Sequence, residues 1–141
     1  MKELRVLDIG ARYGIHPSWK NFSGEVYYEL IEADISEVKR LKKKYRNYKN
    51  IEIKNLAFGL DNEYLDLMIL NNPAMSGFTK RVDVTPRYTG LIKKQQKVKK
   101  FKRIKSISLN KYLKLHKKKF DFLKLDVEGF EVAILNNGLK I

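Results

Sequence analysis

The chain has 141 residues, of which 43% are hydrophobic, and it contains no cysteine. This composition predicts one folded domain over residues 1–141 and excludes disulfides, thiolate metal sites and a cysteine nucleophile. The formal net charge of +14 favours anionic partners, nucleic acid among them. No apolar run reaches the roughly 20 residues that span a bilayer, and the N-terminus lacks the apolar region of a signal peptide, so we expect a cytoplasmic protein with no membrane span.

The first part of the chain predicts two strands joined through a glycine-containing turn. Residues 4–9 are mainly apolar and form a short buried strand, which leads into a turn with Gly10 and Gly14. Residues 26–31 predict a second apolar and aromatic strand that ends at Glu32.

A helix and two further strands are predicted next. Asp34 or Ser36 can cap a helix that carries Val38, Leu41 and Tyr45 on its inner face, and its many basic residues should face water. Residues 51–58 predict a third strand and residues 64–70 a fourth. Asparagine, proline, serine and glycine residues then mark an irregular loop over residues 71–92.

The last part of the chain begins with a basic segment, residues 93–105, whose apolar residues can form an edge strand guarded by lysine. Ser108 can cap a short helix, and residues 120–127 predict a further strand. A final helix ends at Gly138, a good C-terminal stop signal. Strands alternating with helices predict an α/β fold with a mostly parallel sheet and helices on both faces.

Polar residues at two predicted strand ends indicate a nucleoside site. Asp8 and the glycines at 10 and 14 surround the first strand end, and Glu32 closes the second strand. In a doubly wound sheet these ends lie side by side, where a carboxylate can accept both hydroxyl protons of a ribose. The turn lacks the dinucleotide glycine pattern and a long helix for a pyrophosphate, which favours S-adenosylmethionine over NAD or FAD.

A third group of polar residues follows the strand at 120–127. Asp126, Glu128 and Glu131 leave its C-terminal end, where open α/β sheets bind their ligands. Asp126 is the first candidate for a base and Glu128 the second, whereas Glu131 equally suits the N-terminus of the next helix. His16 has suitable chemistry near neutral pH, but a surface loop histidine is the simpler interpretation. No cluster has convincing metal-ligand spacing.

Five segments occur in an order that resembles the FkbM family of methyltransferases over residues 5–138. They read VLDIGARYG, IEAD, NLAFG, SISLNKYL and FDFLKLDVEGFEVAILNNG, and the last is the most specific. The resemblance implies a Rossmann-like class I methyltransferase fold. It also implies S-adenosylmethionine as the methyl donor and methylation of a hydroxyl oxygen on a sugar or polyketide-like acceptor.

The same resemblance assigns roles to individual residues. It places the methionine part of the cofactor at the first turn, the ribose at a carboxylate after the second strand, and the adenine near the end of the third. Catalysis would involve the last motif. The cofactor residues are Asp8, Gly10, Ala11, Gly14, Glu32 or Asp34, and Ala57, and the catalytic residues are Asp126, Glu128 and Lys124.

Two alternatives stay open at this stage. Family members continue beyond the last helix with further strands, whereas this chain stops at Ile141. It can therefore be a fragment or a non-catalytic remnant, or a reduced form that self-associates through an exposed sheet edge. The basic segment 93–105, with Phe101 among its lysines, favours a nucleic-acid-binding protein or an RNA methyltransferase instead.

Overall fold

The computed structural model describes residues 3–21, 25–73, 76–78, 98–116 and 119–138. The chain divides into two compact units, each built from two separate stretches of chain. Met1–Ala57 and Leu113–Asp126 form the first unit, and Phe58–Tyr112 and Val127–Ile141 form the second. The single domain expected from the sequence stays a prediction. None of the helices in the described ranges is long and apolar enough to cross a membrane.

The elements alternate between strands and short helices. In chain order they are β1 (Leu4–Ile9), a 3-10 helix (Pro17–Asn21), β2 (Val26–Glu32), α1 (Ile35–Lys44), β3 (Ile51–Asn55), β4 (Ala57–Phe58), β5 (Tyr64–Leu70), β6 (Gly77–Phe78), β7 (Val98–Ile107), α2 (Leu109–His116), β8 (Phe122–Leu125) and α3 (Glu131–Gly138).

The first unit contains a four-stranded sheet in the order β3-β2-β1-β8, in which every neighbouring pair is parallel. Six of the seven residues of β2 are buried, as expected for a parallel strand covered on both faces. Helix α1 begins after Asp34, whose carboxylate accepts a hydrogen bond from the backbone N–H of Ser36 at 3.0 Å. Val38 and Leu41 of α1 are buried, which confirms the predicted inner face.

The second unit contains a sheet in the order β4-β7-β5-β6, where β5 pairs antiparallel with both β6 and β7. The α/β prediction is confirmed, but a mostly parallel sheet is wrong for this unit. In the first half of β5, buried and exposed residues alternate, which is typical of an antiparallel strand with one solvated face. The class I methyltransferase layout stays a prediction.

The predicted strand over residues 51–58 is wrong, because the structure divides it between the two sheets. Strand β3 ends at Asn55, whose side-chain amide donates to the carbonyl oxygens of Glu32 at 3.0 Å and Ala33 at 2.8 Å. The backbone N–H of Leu56 also donates to the Glu32 carbonyl oxygen, at 3.2 Å. These bonds bind the chain to the end of β2, and the ladder of β3 stops there.

The irregular loop expected over residues 71–92 lies mostly outside the described residues, as do residues 93–97 of the basic segment. The remainder of that segment is the start of β7, which lies between β4 and β5 in the sheet order. Strand β7 is therefore not an edge strand, which the sequence had predicted, although its neighbour β4 has only two residues. Ser108 caps α2 as expected, since its hydroxyl accepts a hydrogen bond from the Lys111 N–H at 3.2 Å.

Candidate functional site

The parallel register of the first unit brings three of the predicted site residues to one end of the sheet. Strand β1 lies between β2 and β8, and Ile9 is level with Ile31 on one side and with Leu125 on the other. The Gly10 N–H donates to the Ile31 carbonyl oxygen at 3.0 Å, and the Asp126 N–H donates to that of Ile9 at 3.0 Å. Gly10 and Asp126, which follow β1 and β8, therefore lie at the same edge as Glu32, the last residue of β2.

The turn after β1 uses glycine where other residues would be strained or excluded. Gly10 has φ 85° and Gly14 has φ 90°, in the left-handed region that favours glycine. A Cβ atom added at Gly14 would lie 2.2 Å from the Tyr45 hydroxyl oxygen, so there is no room for a side chain. Ala11 is fully buried, and its carbonyl oxygen accepts a hydrogen bond from the Gly14 N–H at 2.7 Å.

Two basic side chains of α1, which are exposed to water as the sequence predicted, also hold this turn. The Arg40 guanidinium donates to the Arg12 carbonyl oxygen, and the Lys44 ammonium donates to that of Tyr13 at 3.2 Å. Arg12 in turn forms an ion pair with Asp34 at 3.2 Å, in which both side chains are nearly buried. Sequence reasoning missed these contacts, and no local signal could have found them, because the partners lie 28 and 31 residues apart.

Two carboxylates after β2, Glu32 and Asp34, differ in how many protein partners they have. Both Asp34 oxygens are engaged, Oδ1 by the Ser36 N–H that it caps and Oδ2 by the Arg12 guanidinium. Glu32 accepts one hydrogen bond through Oε1, from the Asp34 N–H at 2.7 Å. No hydrogen bond from the described residues reaches its second oxygen.

Burial also changes the proton affinity of Glu32, which is 7% exposed. The loss of solvent raises the pKa of Glu32 above its ordinary value, and the charges of Asp34 and Glu37 act in the same direction. The hydrogen bond from the Asp34 N–H and the positive charge of Arg12 lower that pKa but do not outweigh burial. A ligand that donates hydrogen bonds to this carboxyl would favour its ionised form.

On the other side of β1, Lys124 connects two carboxylates. Its ammonium lies 3.1 Å from Oδ1 of Asp8, which is fully buried, and 3.4 Å from Oδ2 of Asp126, whose side chain is 60% exposed. Burial raises the pKa of Asp8, and the charge of Lys124 and the indole of Trp19 partly offset that rise. Asp126 is therefore the member of this group that solvent and a ligand can reach.

The remaining predicted residues lie elsewhere in the first unit or in the second unit. Ala57 is buried in β4, two residues after the end of β3. Glu128 belongs to the second unit and has φ 53°, which is unusual for a residue other than glycine. Glu131 has a structural role, since its carboxylate accepts hydrogen bonds from the N–H groups of Val127 at 2.9 Å and Gly129 at 3.0 Å.

His16 also has a local structural role, because its Nδ1 accepts a hydrogen bond from the Ser18 N–H at 3.2 Å, at the start of the 3-10 helix. This agrees with the simpler interpretation of an exposed loop histidine. Within the described ranges, no three His, Asp or Glu side chains are grouped so that they could hold a metal ion.

Comparison with known proteins gives one match. The family model for the methyltransferase FkbM domain matches residues 8–141, nearly the whole chain. No curated protein and no solved structure shows a significant match to the chain. The matched range contains every residue of the site described above.

Proposed function

The chain belongs to the FkbM methyltransferase family, and on that premise we propose that it transfers the methyl group of S-adenosylmethionine to a hydroxyl oxygen. The acceptor class that we propose is a sugar, a glycan or a related small molecule. The observation that carries the proposal is the shared end of β2, β1 and β8, where Glu32, the turn at Gly10 and Asp126 are adjacent. Ligands of open α/β sheets bind at such a point, where the chain reverses its direction of strand addition.

The residues at this edge fit the chemistry of S-adenosylmethionine. The cofactor carries a ribose diol and positive charge but no phosphate, so it needs acceptors and close backbone approach rather than a helix N-terminus. The second oxygen of Glu32 is available to a ribose hydroxyl, and Gly10 has no side chain to block a close approach to the backbone at the start of the turn. The helix that follows the turn is a 3-10 helix of only five residues, a poor phosphate site.

Within this proposal Glu32 is the ribose carboxylate, and Asp34 is a positioning residue that caps α1 and binds Arg12. Asp8, Gly10, Ala11 and Gly14 would flank the methionine part. Ala57 would lie near the adenine.

When bound, S-adenosylmethionine supplies an electrophilic methyl group on a sulfonium. Most of the protein's contribution is then alignment of the acceptor oxygen with that carbon. Asp126 is the residue that we assign to the acceptor, because its exposed carboxylate can orient a hydroxyl group and accept its proton. Lys124, whose ammonium also pairs with Asp8, holds the Asp126 carboxylate in place. Glu128 is the second candidate for the proton acceptor.

Calorimetric titration with S-adenosylmethionine tests the binding site. We expect Glu32→Ala to weaken binding roughly 10- to 150-fold, the loss of hydrogen bonds to a charged group. Gly10→Val should weaken it as well, because valine strongly disfavours the left-handed conformation. The matched control is Glu25→Ala, at the opposite end of β2, which should bind as the wild type does. Wild-type affinity in Glu32→Ala would refute the site.

Methyl transfer is tested separately with a panel of sugars and glycans, by mass spectrometry of the acceptor. The proposal expects a mass gain of one CH₂ unit on a hydroxyl oxygen, lost in Asp126→Asn although cofactor affinity is retained. Cofactor binding without transfer to any member of the panel would contradict the proposed acceptor class. Full activity of Asp126→Asn would show that another group accepts the proton, and Glu128→Gln would then test the second candidate.

A further inference from the structure

The outer face of the β5–β7 pair, in the second unit, presents two aromatic rings to solvent. Residues directly opposite each other in an antiparallel pair share a face. The inner face of β5 carries the buried residues Leu65, Leu67 and Ile69. The outer face, which we call the Phe101 face, consists of three opposed pairs: Tyr64 with Lys105, Asp66 with Arg103, and Met68 with Phe101.

Both rings of the Phe101 face are more exposed than aromatic side chains normally are in a folded protein. Phe101 is 59% exposed and Tyr64 is 57% exposed. Four residues separate them along the strands, so they lie roughly 13 Å apart on a sheet with a rise of about 3.3 Å per residue. The guanidinium carbon of Arg103 is 4.9 Å from the Tyr64 ring centroid, which adds a second planar group beside that ring.

The same strand carries a high density of positive charge. Strand β7 contains five basic residues and no acidic residue. They are Lys99, Lys100, Lys102, Arg103 and Lys105. Arg103 and Lys105 point to the Phe101 face and are exposed, and Asp66 is the single acid of that face. Exposed rings and cations on one sheet face combine the two elements of a surface for single strands, base stacking and phosphate contacts.

We propose that the Phe101 face binds single-stranded nucleic acid. Phe101 and Tyr64 stack on two bases of one strand, and the guanidinium of Arg103 extends the stacking surface. Arg103 and Lys105 contact the phosphates, and Asp66 accepts hydrogen bonds from base amino groups. The inference is independent of methyl transfer, because none of these residues belongs to the site proposed for the cofactor and acceptor.

An anionic membrane is the main competitor for a basic surface with exposed rings, but Asp66 argues against it. A carboxylate in the centre of the face would lose hydration near the acyl chains, where no hydrogen-bond donor replaces the water. In a nucleic-acid complex the same carboxylate has donors to bind, since the amino edges of unpaired bases are accessible. The observations therefore favour a strand with exposed bases over a lipid surface.

Fluorescence anisotropy with labelled 12-nucleotide oligo-uridine tests the proposal at salt concentrations of about 50 and 200 mM. We expect Phe101→Ala and Tyr64→Ala each to weaken binding roughly 5- to 150-fold, the range for loss of one base–aromatic stack. The double variant Arg103→Gln/Lys105→Gln should make the logarithmic salt dependence shallower by about 1.4, the value for two phosphate contacts to a single strand.

Matched controls separate this face from the general positive charge of the chain. Tyr48→Ala removes an equally exposed ring in the first unit, and Lys39→Gln/Lys43→Gln removes the same charge from α1. Both should bind nearly as the wild type does. Equal losses in the controls and the face variants would overturn the proposal, as would wild-type affinity in Phe101→Ala. So would binding to phosphatidylserine vesicles without binding to the oligonucleotide.

A parallel titration with oligo-deoxyuridine of the same length identifies the sugar, because the two strands then differ only at the 2′ position. Tighter binding of the uridine strand assigns RNA as the ligand, and equal binding assigns single strands regardless of the 2′-hydroxyl group. Circular dichroism of each variant should match that of the wild type, because all of the substituted side chains are exposed.

Discussion

Burial raises the pKa of Glu32, yet under the proposed function this carboxyl must be ionised when ribose hydroxyls donate to it. Acidification therefore has opposite effects on the stability of the free protein and on the binding of the cofactor. In the free protein, Glu32 holds its proton above the ordinary carboxyl value of 4.5, so protonation through that window stabilises the fold. In the complex, the same protonation removes an acceptor that the ribose needs.

We therefore predict that affinity for S-adenosylmethionine falls as the pH is lowered through the raised pKa of Glu32, with a slope approaching tenfold per pH unit below that pKa. The measurement is calorimetric titration at a series of pH values. Burial also raises the pKa of Asp8, so the wild-type curve contains both groups. Glu32→Gln should bind more weakly at pH 8 and lose part of the slope. A slope unchanged in Glu32→Gln would exclude Glu32 as the titrating group.

At the scale of elements, α1 and the turn after β1 form one locked assembly. Tyr45, at the end of α1, fills the space beside Gly14 and accepts a hydrogen bond from the Ile15 N–H at 3.0 Å. The side chains of Arg40 and Lys44 bind carbonyl oxygens of the same turn. Such fixed geometry reduces the conformational entropy that a ligand would otherwise have to remove on binding.

This assembly predicts that Gly14→Ala destabilises the protein far more than an ordinary turn substitution. The left-handed conformation alone costs alanine about 1–2 kcal/mol, and the added Cβ would also displace Tyr45. Denaturant unfolding should show a larger loss than for Tyr45→Phe, which removes one hydrogen bond and should cost about 1 kcal/mol. Tyr48→Phe, on an exposed ring, is the control. Wild-type stability of Gly14→Ala would contradict the packing.

The helices and strands also show which parts of the fold could be predicted from the sequence. Strand β1, strand β2 and the capped helix α1 were predictable because each is specified by local signals: an apolar run, a turn or a capping residue. The contacts of Arg40 and Lys44 with the turn join residues 28 and 31 positions apart, and no local pattern specifies such partners. The division of residues 51–58 between two sheets has the same cause, since Asn55 ends β3 by binding the end of β2.

The candidate site was predictable to a similar extent. The spacing of Gly10, Glu32 and Asp126 along the chain, together with the rule for parallel strand ends, was enough to bring them to one edge. The choice between Glu32 and Asp34 was not predictable, because it depends on which side chains already have partners. Arg12 engages Asp34 across 22 residues of chain, and only the folded structure contains that pair.

At the scale of the whole molecule, the chain contains 30 basic residues and 16 acidic ones, so positive charge is in excess. Among the described residues, the most buried favourable pairs, Lys124 with Asp8 at 3.1 Å and Arg12 with Asp34 at 3.2 Å, are the least sensitive to salt. Repulsion among the exposed lysines acts through water, and salt screens it most strongly. Added salt should consequently weaken the unfavourable interactions more than the favourable ones.

We therefore predict that the melting temperature rises by a few degrees between about 50 and 500 mM sodium chloride, since a gain of about 1 kcal/mol shifts a protein of this size by about 2–8 °C. Differential scanning calorimetry measures the shift. In Lys39→Glu/Lys49→Glu each replacement lowers the net charge by two units at an exposed position, so the rise should be smaller. A wild-type melting temperature that is constant or falls with salt would show that the ion pairs outweigh the repulsion, and an equal rise in both proteins would assign the effect to the salt itself.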